Sequence, residues 1–327
     1  MSAPGAGAIT VTLGVEEGRV TTARLVSSRP AAIGAVLVGR RPAEALAILP
    51  RLFALCGEAH AAAARAALHR RRVTPAEQRR VLAEMLDSHG WNVLLAWPAL
   101  LGEPPRREAL LALRRAAAVL RGGDLPARRG ALREAEALLA AEGLLVPPGI
   151  EAWAAATTAP AARLVRAVLD GGLAGFGATP PDLAEAGPAL DAAGADALAA
   201  IVARHGHGLL ARLARRLWAL AALPRRLAAV LEAEDAAEPD VPDGDGEGSA
   251  ETARGRLRHR LRIEGGTVRD WQVTAPTDLN FHPDGPALRG LLGAAAGPDL
   301  AARAAWHLAA LDPCVPATVR VEAPAHA

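Results

Sequence analysis

Two cysteines occur in 327 residues, Cys56 and Cys314. Cys56 lies in "RLFALCGEAH" (51–60), with His60 four residues further on. On a helix this spacing puts both on one face, where a thiolate and an imidazole could share a metal. Cys314 lies in "LDPCVPATVR" (311–320), where Asp312-Pro313 makes a stiff turn before a run that alternates like a strand. Taken singly, either cysteine reads more simply as a small buried hydrophobe, and His60 as a capped or solvent-facing side chain.

The elements around them follow from periodicity. Residues 8–28 read as a β-hairpin: "AITVTLGV" alternates, "EEGR" turns and "VTTARLVSS" returns. The pattern turns helical from Ala43. Pro50 suits the first turn of a helix that carries Cys56 and runs to about His69. A helix over 74–97 opens with Thr74 as N-cap and Glu77 three residues later. Further helices are expected near 106–121, 128–142, 149–156, 160–170, 181–203 and 207–232. The tract "EAEDAAEPDVPDGDGEGSAE" (232–251) has many acids and no base, and reads as a flexible, self-repelling linker. Beyond it, "RGRLRHRLRIEGGTVRDWQVTAP" reads as a second hairpin turning at Gly265-Gly266, with Leu257, Leu261 and Ile263 on one face. A final helix then delivers the chain to Asp312, and a short strand closes it. The expected fold is α+β, mainly α-helical, with β-hairpins near both termini. Its parts are an N-terminal hairpin and helical body (1–231), the acidic linker (232–251), and a C-terminal hairpin, helix and strand (252–327) on the same core.

Composition narrows the function. Hydrophobic residues make up 51%, enough for a large core, although alanine supplies much of it. Every basic side chain is arginine, and 37 bases against 35 acids leave a net charge of +2. Such a balance gives no polyanion-binding surface, so "HRRRVTPAEQRR" (69–80) reads as a solvated face rather than a nucleic-acid patch. The basic, amphipathic stretch 204–230 reads as a core helix with an Arg-rich exposed face, rather than a membrane-surface helix. His205 and His207 within it have no acid or cysteine beside them in sequence. Two cysteines make no disulfide framework, and no signal peptide or membrane-length apolar run is visible. A cytoplasmic protein with reduced thiols is expected.

The cysteine segments together resemble the metal motifs of NiFe hydrogenase large subunits. The first motif there is Arg-x-Cys-Gly-x-Cys-x-x-x-His; Arg51, Cys56 and His60 match it, while Phe53 replaces the first cysteine and Ala54 the glycine. The second is Asp-Pro-Cys-x-x-Cys-x-x-His; Asp312, Pro313 and Cys314 match, while Ala317 replaces the second cysteine and Arg320 the histidine. "ETARGRLRHRLRIEGGTVRDWQVTAPTDLNFHPDG" (251–285) resembles the family's Glu-Ala-Pro-Arg-Gly strand, Gly-rich hairpin and Val-Pro-Ser/Thr-x-x-Asn turn. The first hairpin is similar too. The likeness covers about residues 8–70 and 250–322.

In that family four thiolates hold nickel, and two of them bridge to an iron carrying cyanide and carbon monoxide. The resemblance implies that Arg254 stands over the metal site, that Thr277 after Pro276 is a hydroxyl donor near the iron, and that Asp312 belongs to the same pocket. It also implies that the nickel site is lost with its missing thiolates. No counterpart of the family's Arg-x-Glu-Gly-His segment is seen in the eight residues before the first strand, so no hydrogen turnover is expected. What remains resembles the HupK/HoxV-type hydrogenase accessory proteins. This implies a non-catalytic scaffold or chaperone that holds an Fe(CN)2CO unit transiently through Cys56 and Cys314, with His60 as a possible third ligand. The implied partners are the hydrogenase large-subunit precursor and a small maturation chaperone. Cys56 matches a bridging position and Cys314 a nickel-only one, so the iron would need a rearranged site. An altered hydrogenase-like redox enzyme, or an interaction protein with vestigial cysteines, are the other readings.

Overall fold

The computed structural model describes residues 7–29, 33–235, 237 and 239–322. The chain opens with β1 (Ile9–Glu16) and β2 (Arg19–Ser27), an antiparallel pair. Their turn uses Glu17 and Gly18, both at positive φ, as a tight two-residue hairpin requires. β6 (Ala317–Glu322) lies parallel to β1 on its other side, giving the order β2-β1-β6. Thus the first and last strands meet in one sheet, and β6 is the short strand expected after Cys314.

Two helices follow the first hairpin where one was expected across Pro50. α1 (Pro42–Leu52) contains Pro50 in its last turn, and α2 (Gly57–Leu68) begins just after Cys56. Cys56 is therefore the N-cap residue of α2, not part of its body. Gly57 eases the bend: a side chain there would crowd Pro50, so glycine lets α2 start close to α1 without displacing it. α3 (Pro75–Trp91) carries the expected capping box, with Glu77 N–H donating to Thr74 Oγ1 and Thr74 N–H to Glu77 Oε2. It runs on through a wide turn of π-helix (Asn92–Ala96) into the short α4 (Trp97–Leu100).

The body continues with α5 (Arg107–Gly122), α6 (Leu125–Ala141), α7 (Ile150–Ala156), α8 (Pro160–Asp170), α9 (Ala192–His205) and α10 (Leu209–Ala228). The helix expected over 181–203 starts only at Ala192. Residues 180–191 instead form an irregular strap, because Pro180, Pro181 and Pro188 break the helical ladder. Glu185 anchors it to Arg212 of α10, and Asn280 clips Ala186 by two amide hydrogen bonds of 2.8 and 2.9 Å. α10 departs from expectation as well. Its Arg212 and Arg216 are buried at 2% and 3% exposure rather than lining a solvated face, since Glu185 and Asp312 neutralise them inside.

The acidic tract is not simply a linker. Its second half is β3 (Gly244–Thr252), which pairs with β4 (Gly255–Glu264), itself paired with β5 (Thr267–Thr274). Residues 236 and 238 lie outside the described residues. The reason for the strand is a period of two that composition hides. Gly246, Gly248 and Ala250 face inward onto the alanine-rich α2, where any side chain at Gly246 or Gly248 would strike the backbone of Ala67 or Ala63. Asp245 and Glu247 face outward, opposite Arg262 and Arg260 of β4. So the acids of one strand answer the arginines of the next. The Gly265-Gly266 turn has both residues at positive φ, as expected, and Leu257, Leu261 and Ile263 are buried together. α11 (Pro276–Asn280), α12 (Pro286–Arg289) and α13 (Leu300–Leu311) then lead to Asp312.

Three apolar clusters hold these layers: one within the helical body, one between the β2-β1-β6 sheet and α11–α13, and one between α1, α2 and the β3-β4-β5 sheet. Among the described residues no helix is long and apolar enough to cross a membrane.

Candidate functional site

The site forms where five elements converge. The N-terminus of α2 supplies Cys56, and the tight turn between β3 and β4 supplies Arg254. The first turn of α11 supplies Pro276 and Thr277, and the chain leaving α13 supplies Asp312 and Cys314. α3 forms the wall behind them. Sequence distances of up to 258 positions, between Cys56 and Cys314, close in this one place.

Asp312 is its buried hinge. It caps α13 in a left-handed backbone, φ 53° and ψ 69°, which a non-glycine residue adopts only when its surroundings hold it there. They do. Arg254 Nε donates to the Asp312 carbonyl at 3.0 Å and Arg254 NH2 to Oδ1 at 3.2 Å, while Arg216 NH1 donates to Oδ2 at 2.9 Å. Burial alone would push this carboxyl up; the two guanidiniums overcome it and hold it below the usual carboxylate range. Two positive charges against one negative leave the buried cluster one charge in excess.

Arg254 makes a third bond, from NH1 to Ser88 Oγ at 3.1 Å. A guanidinium has five N–H donors, so these contacts do not exhaust it. Both thiols lie within its electrostatic reach, and each of them strengthens its hold on its proton. Cys56 and Cys314 also sense each other: burial first, then Glu84, push the Cys56 thiol above its ordinary range, Arg254 pulls it back, and a charge on Cys314 would raise it again. Both cysteines are free and half-buried. The Cys314 amide donates to Thr277 Oγ1 at 3.3 Å, which leaves the threonine's own proton available to another acceptor. Cys56, Cys314, Arg254, Thr277 and Asp312 are thus brought together, with Pro276 opening the helix that carries Thr277.

His60 is oriented differently. It is 1% exposed, and its Nδ1 lies 2.9 Å from His259 Nε2, while Trp271 Nε1 donates to His259 Nδ1 at 2.9 Å. Indole only donates, so the chain of bonds fixes both tautomers. His259, held neutral by burial at a pKa of about 3, carries its proton on Nε2 and gives it to His60 Nδ1. His60, also neutral, then keeps its proton on Nε2. The ring stacks on Phe53, centroids 3.3 Å apart and planes within 7°. The aromatic residue at the lost cysteine position therefore packs the imidazole in place. The two replacements in the second motif, Ala317 and Arg320, pair with Ile9 and Thr12 in the sheet. Among the described residues no three His, Cys, Asp or Glu side chains converge as a ligand set.

Three participants were not singled out from the sequence. Glu84 accepts from the Glu58 and Ala59 amides at 2.7 and 3.1 Å, at the start of α2 beside Cys56, and burial pushes its carboxyl up to about 8. Ser88 holds Arg254, and Arg216 holds Asp312. Glu84 and Ser88 are four apart on α3, a polar stripe facing inward that the spacing displays once the helix is known. A cleft of about 320 Å³ runs beside this wall, lined by Phe53, Leu55, Glu58, Glu84, Ser88 and Trp91 among others. His207 lies 3.3 Å from Glu185 and His205 3.9 Å from Glu151, so the structure supplies acids that the sequence did not place there.

Chemically the site offers two soft sulfur donors, a cation and a hydroxyl. That donor set fits an iron unit bearing hydrogen-bond-accepting cyanides, with Arg254 and Thr277 as donors to them. It does not fit a four-thiolate nickel centre.

No family model matches the chain. A hydrogenase expression/formation protein HupK of Azotobacter vinelandii is 34% identical, covering 97% of this chain and 99% of that one. A HupK of Rhizobium leguminosarum bv. viciae is 31% identical over 99% of both chains. A hydrogenase expression/formation protein HupV of Azotobacter chroococcum mcd 1 is 32% identical, covering 97% and 99%. Among solved structures, a NiFeSe hydrogenase from Desulfovibrio vulgaris Hildenborough superimposes with a TM-score of 0.69 at 15% identity, covering 92% of this chain and 94% of that one. An NAD+-reducing NiFe hydrogenase gives 0.65 at 18% identity, covering 91% and 93%. The fold is that of the hydrogenase large subunit.

Proposed function

The chain belongs to the HupK family of hydrogenase expression/formation proteins, and from that premise we propose that it acts in hydrogenase maturation as a non-catalytic scaffold. Its cargo is an Fe(CN)2CO unit on its way to the large subunit. The observation that supports this reading is that Cys56 and Cys314 lie within electrostatic reach of each other and of Arg254, on a large-subunit fold with half of the expected thiolates replaced.

Each residue has a task in this reading. Cys56 and Cys314 bind iron as thiolates, releasing their protons as they do so. The excess positive charge of Arg254 and Arg216 over Asp312 offsets the negative charge that the thiolates bring. Arg254 and Thr277 donate hydrogen bonds to cyanide nitrogen and so select a cyanide-bearing iron over a bare cation. Two thiolates hold less firmly than four, which suits a carrier that must release its load. The partners in this reading are the large-subunit precursor and a small maturation chaperone that exchanges the unit, and the site of action is the cytoplasm.

Genetic complementation tests the role. In cells lacking this gene, hydrogenase activity should be low and restored by the wild-type chain. Cys56→Ala and Cys314→Ala chains, present at equal abundance, should each restore less than a tenth of it. Full restoration by both variants would mean that the thiols are relics and that the fold works as a plain interaction protein.

A further inference from the structure

We propose that Arg216 is the positioning residue of the thiol pair: by fixing Asp312 it sets where Cys314 stands opposite Cys56. The inference rests on the reading above that the two thiols act together.

Arg216 lies on α10, which carries none of the residues assigned to the pocket. Yet its side chain, 3% exposed, reaches both segments that build it. Nε donates to the Ala310 carbonyl at 2.7 Å, one of the carbonyls left open at the end of α13. NH1 donates to Asp312 Oδ2 at 2.9 Å and to the Ala253 carbonyl, the residue before Arg254, at 3.2 Å. One planar, rigid group therefore fixes the two peptides that carry Arg254 and Cys314 relative to each other. Arg254 joins the same two segments through the Asp312 carbonyl and Oδ1, and Arg216 braces that contact on both sides from a third element, α10. The left-handed backbone of Asp312 shows what is at stake: two residues before Cys314 the chain is held in a conformation that relaxes when its restraints go. With Arg216 removed, the Asp-Pro turn reopens and the thiol swings away.

Arg212, one helical turn earlier, provides the control. It is as deeply buried, at 2% exposure, and its bonds run to Glu185, the Gly177 carbonyl and His307. None of these is a pocket residue. Loss of Arg212 should therefore cost stability like the loss of Arg216, without moving the thiols.

The test uses the full, reduced, metal-free chain and dibromobimane, which fluoresces once it has bridged two nearby thiols. Wild type should bridge. Arg216→Met, at a temperature where circular dichroism shows it folded, should bridge at least fivefold more slowly, and Arg212→Met at the wild-type rate. Equal rates in wild type and Arg216→Met, or an equal loss in Arg212→Met, would overturn the proposal. Should Arg216→Met not fold, Arg216→Lys decides. Lysine keeps the charge but cannot span all three acceptors, so bridging should slow, and an unchanged rate would refute the assignment. Because no metal is involved, this pattern can hold even if the chain never carries iron. A wild-type chain that does not bridge at all overturns both readings.

Discussion

At the scale of the residue, the pocket is governed by how buried charge is matched. Asp312 serves two guanidiniums, so replacing it strands both. Asp312→Asn should cost about 3–5 kcal/mol, the usual penalty for breaking a buried pair, read as a fall in the urea midpoint. A variant as stable as wild type would mean that the cluster is hydrated rather than dry. In the metal-free chain Thr277→Val takes the acceptor from the Cys314 amide. It should cost about 1 kcal/mol, with Thr277→Ser close to wild type. Much at this scale was legible in advance. The order of the motif residues along the chain was legible, and the structure brings Arg254 to Asp312 and Thr277 to Cys314. Glu84, Ser88 and Arg216 were not legible, since a polar side chain in a helix looks solvated until the neighbours that bury it are known. His60 was read by spacing alone, which gives the face of the helix but not the tautomer that His259 and Trp271 impose.

The element scale shows where composition misled. β3 looked like a linker because glycine and acid dominate it, yet their alternation has strand period. The signal lay in the pairing of "DGDGEGSAE" with "RLRHRLR", acid opposite arginine, which only the register reveals. Gly246→Val and Gly248→Val should each destabilise the chain strongly and favour insolubility, since no side chain fits between β3 and α2. Wild-type solubility and melting temperature in both would show that the tract is free of α2 after all. Glu185 is the charged anchor of the strap of residues 180–191. Arg212 and His207 overcome the effect of burial and hold the Glu185 carboxyl down to about 2, against an ordinary 4.5. A depressed carboxyl contributes stability above its unfolded value and loses it as pH falls through the folded one. Glu185→Gln should therefore cost on the order of 3 kcal/mol at pH 7, and the difference from wild type should shrink below pH 4.5 and vanish near pH 2. A pH-independent difference would rule out the ion pair as its source.

At the scale of the whole molecule, four buried histidines set the acid limit. Burial keeps His89, His259 and His307 neutral with pKa values of about 3, and His60 well below its ordinary 6.5. Groups depressed in this way favour the fold above pH 6.5, and each withdraws about 1.4 kcal/mol per pH unit below it. Glu84 works in the opposite sense: its raised pKa of about 8 means that its contribution is full below 4.5 and lost as pH rises through 8. Stability should thus peak near pH 6.5, and Glu84→Gln should flatten the fall between pH 6.5 and 8 and steepen the rise below 6.5. Urea midpoints between pH 5 and 9 would show this, and an alkaline slope unchanged in the variant would contradict it. The molecule as a whole is a hydrogenase large-subunit fold in which one lost cysteine position carries a stacking aromatic and the other a sheet pairing. Its remaining thiols carry the central claim, and infrared spectroscopy addresses them most directly. The chain is purified without oxygen from cells making hydrogenase, alongside Cys56→Ala and Cys314→Ala. Cyanide and carbonyl bands are expected in the wild type and should disappear in both variants. Wild-type protein without those bands, still bringing the large-subunit precursor with it, would contradict the iron-carrying role.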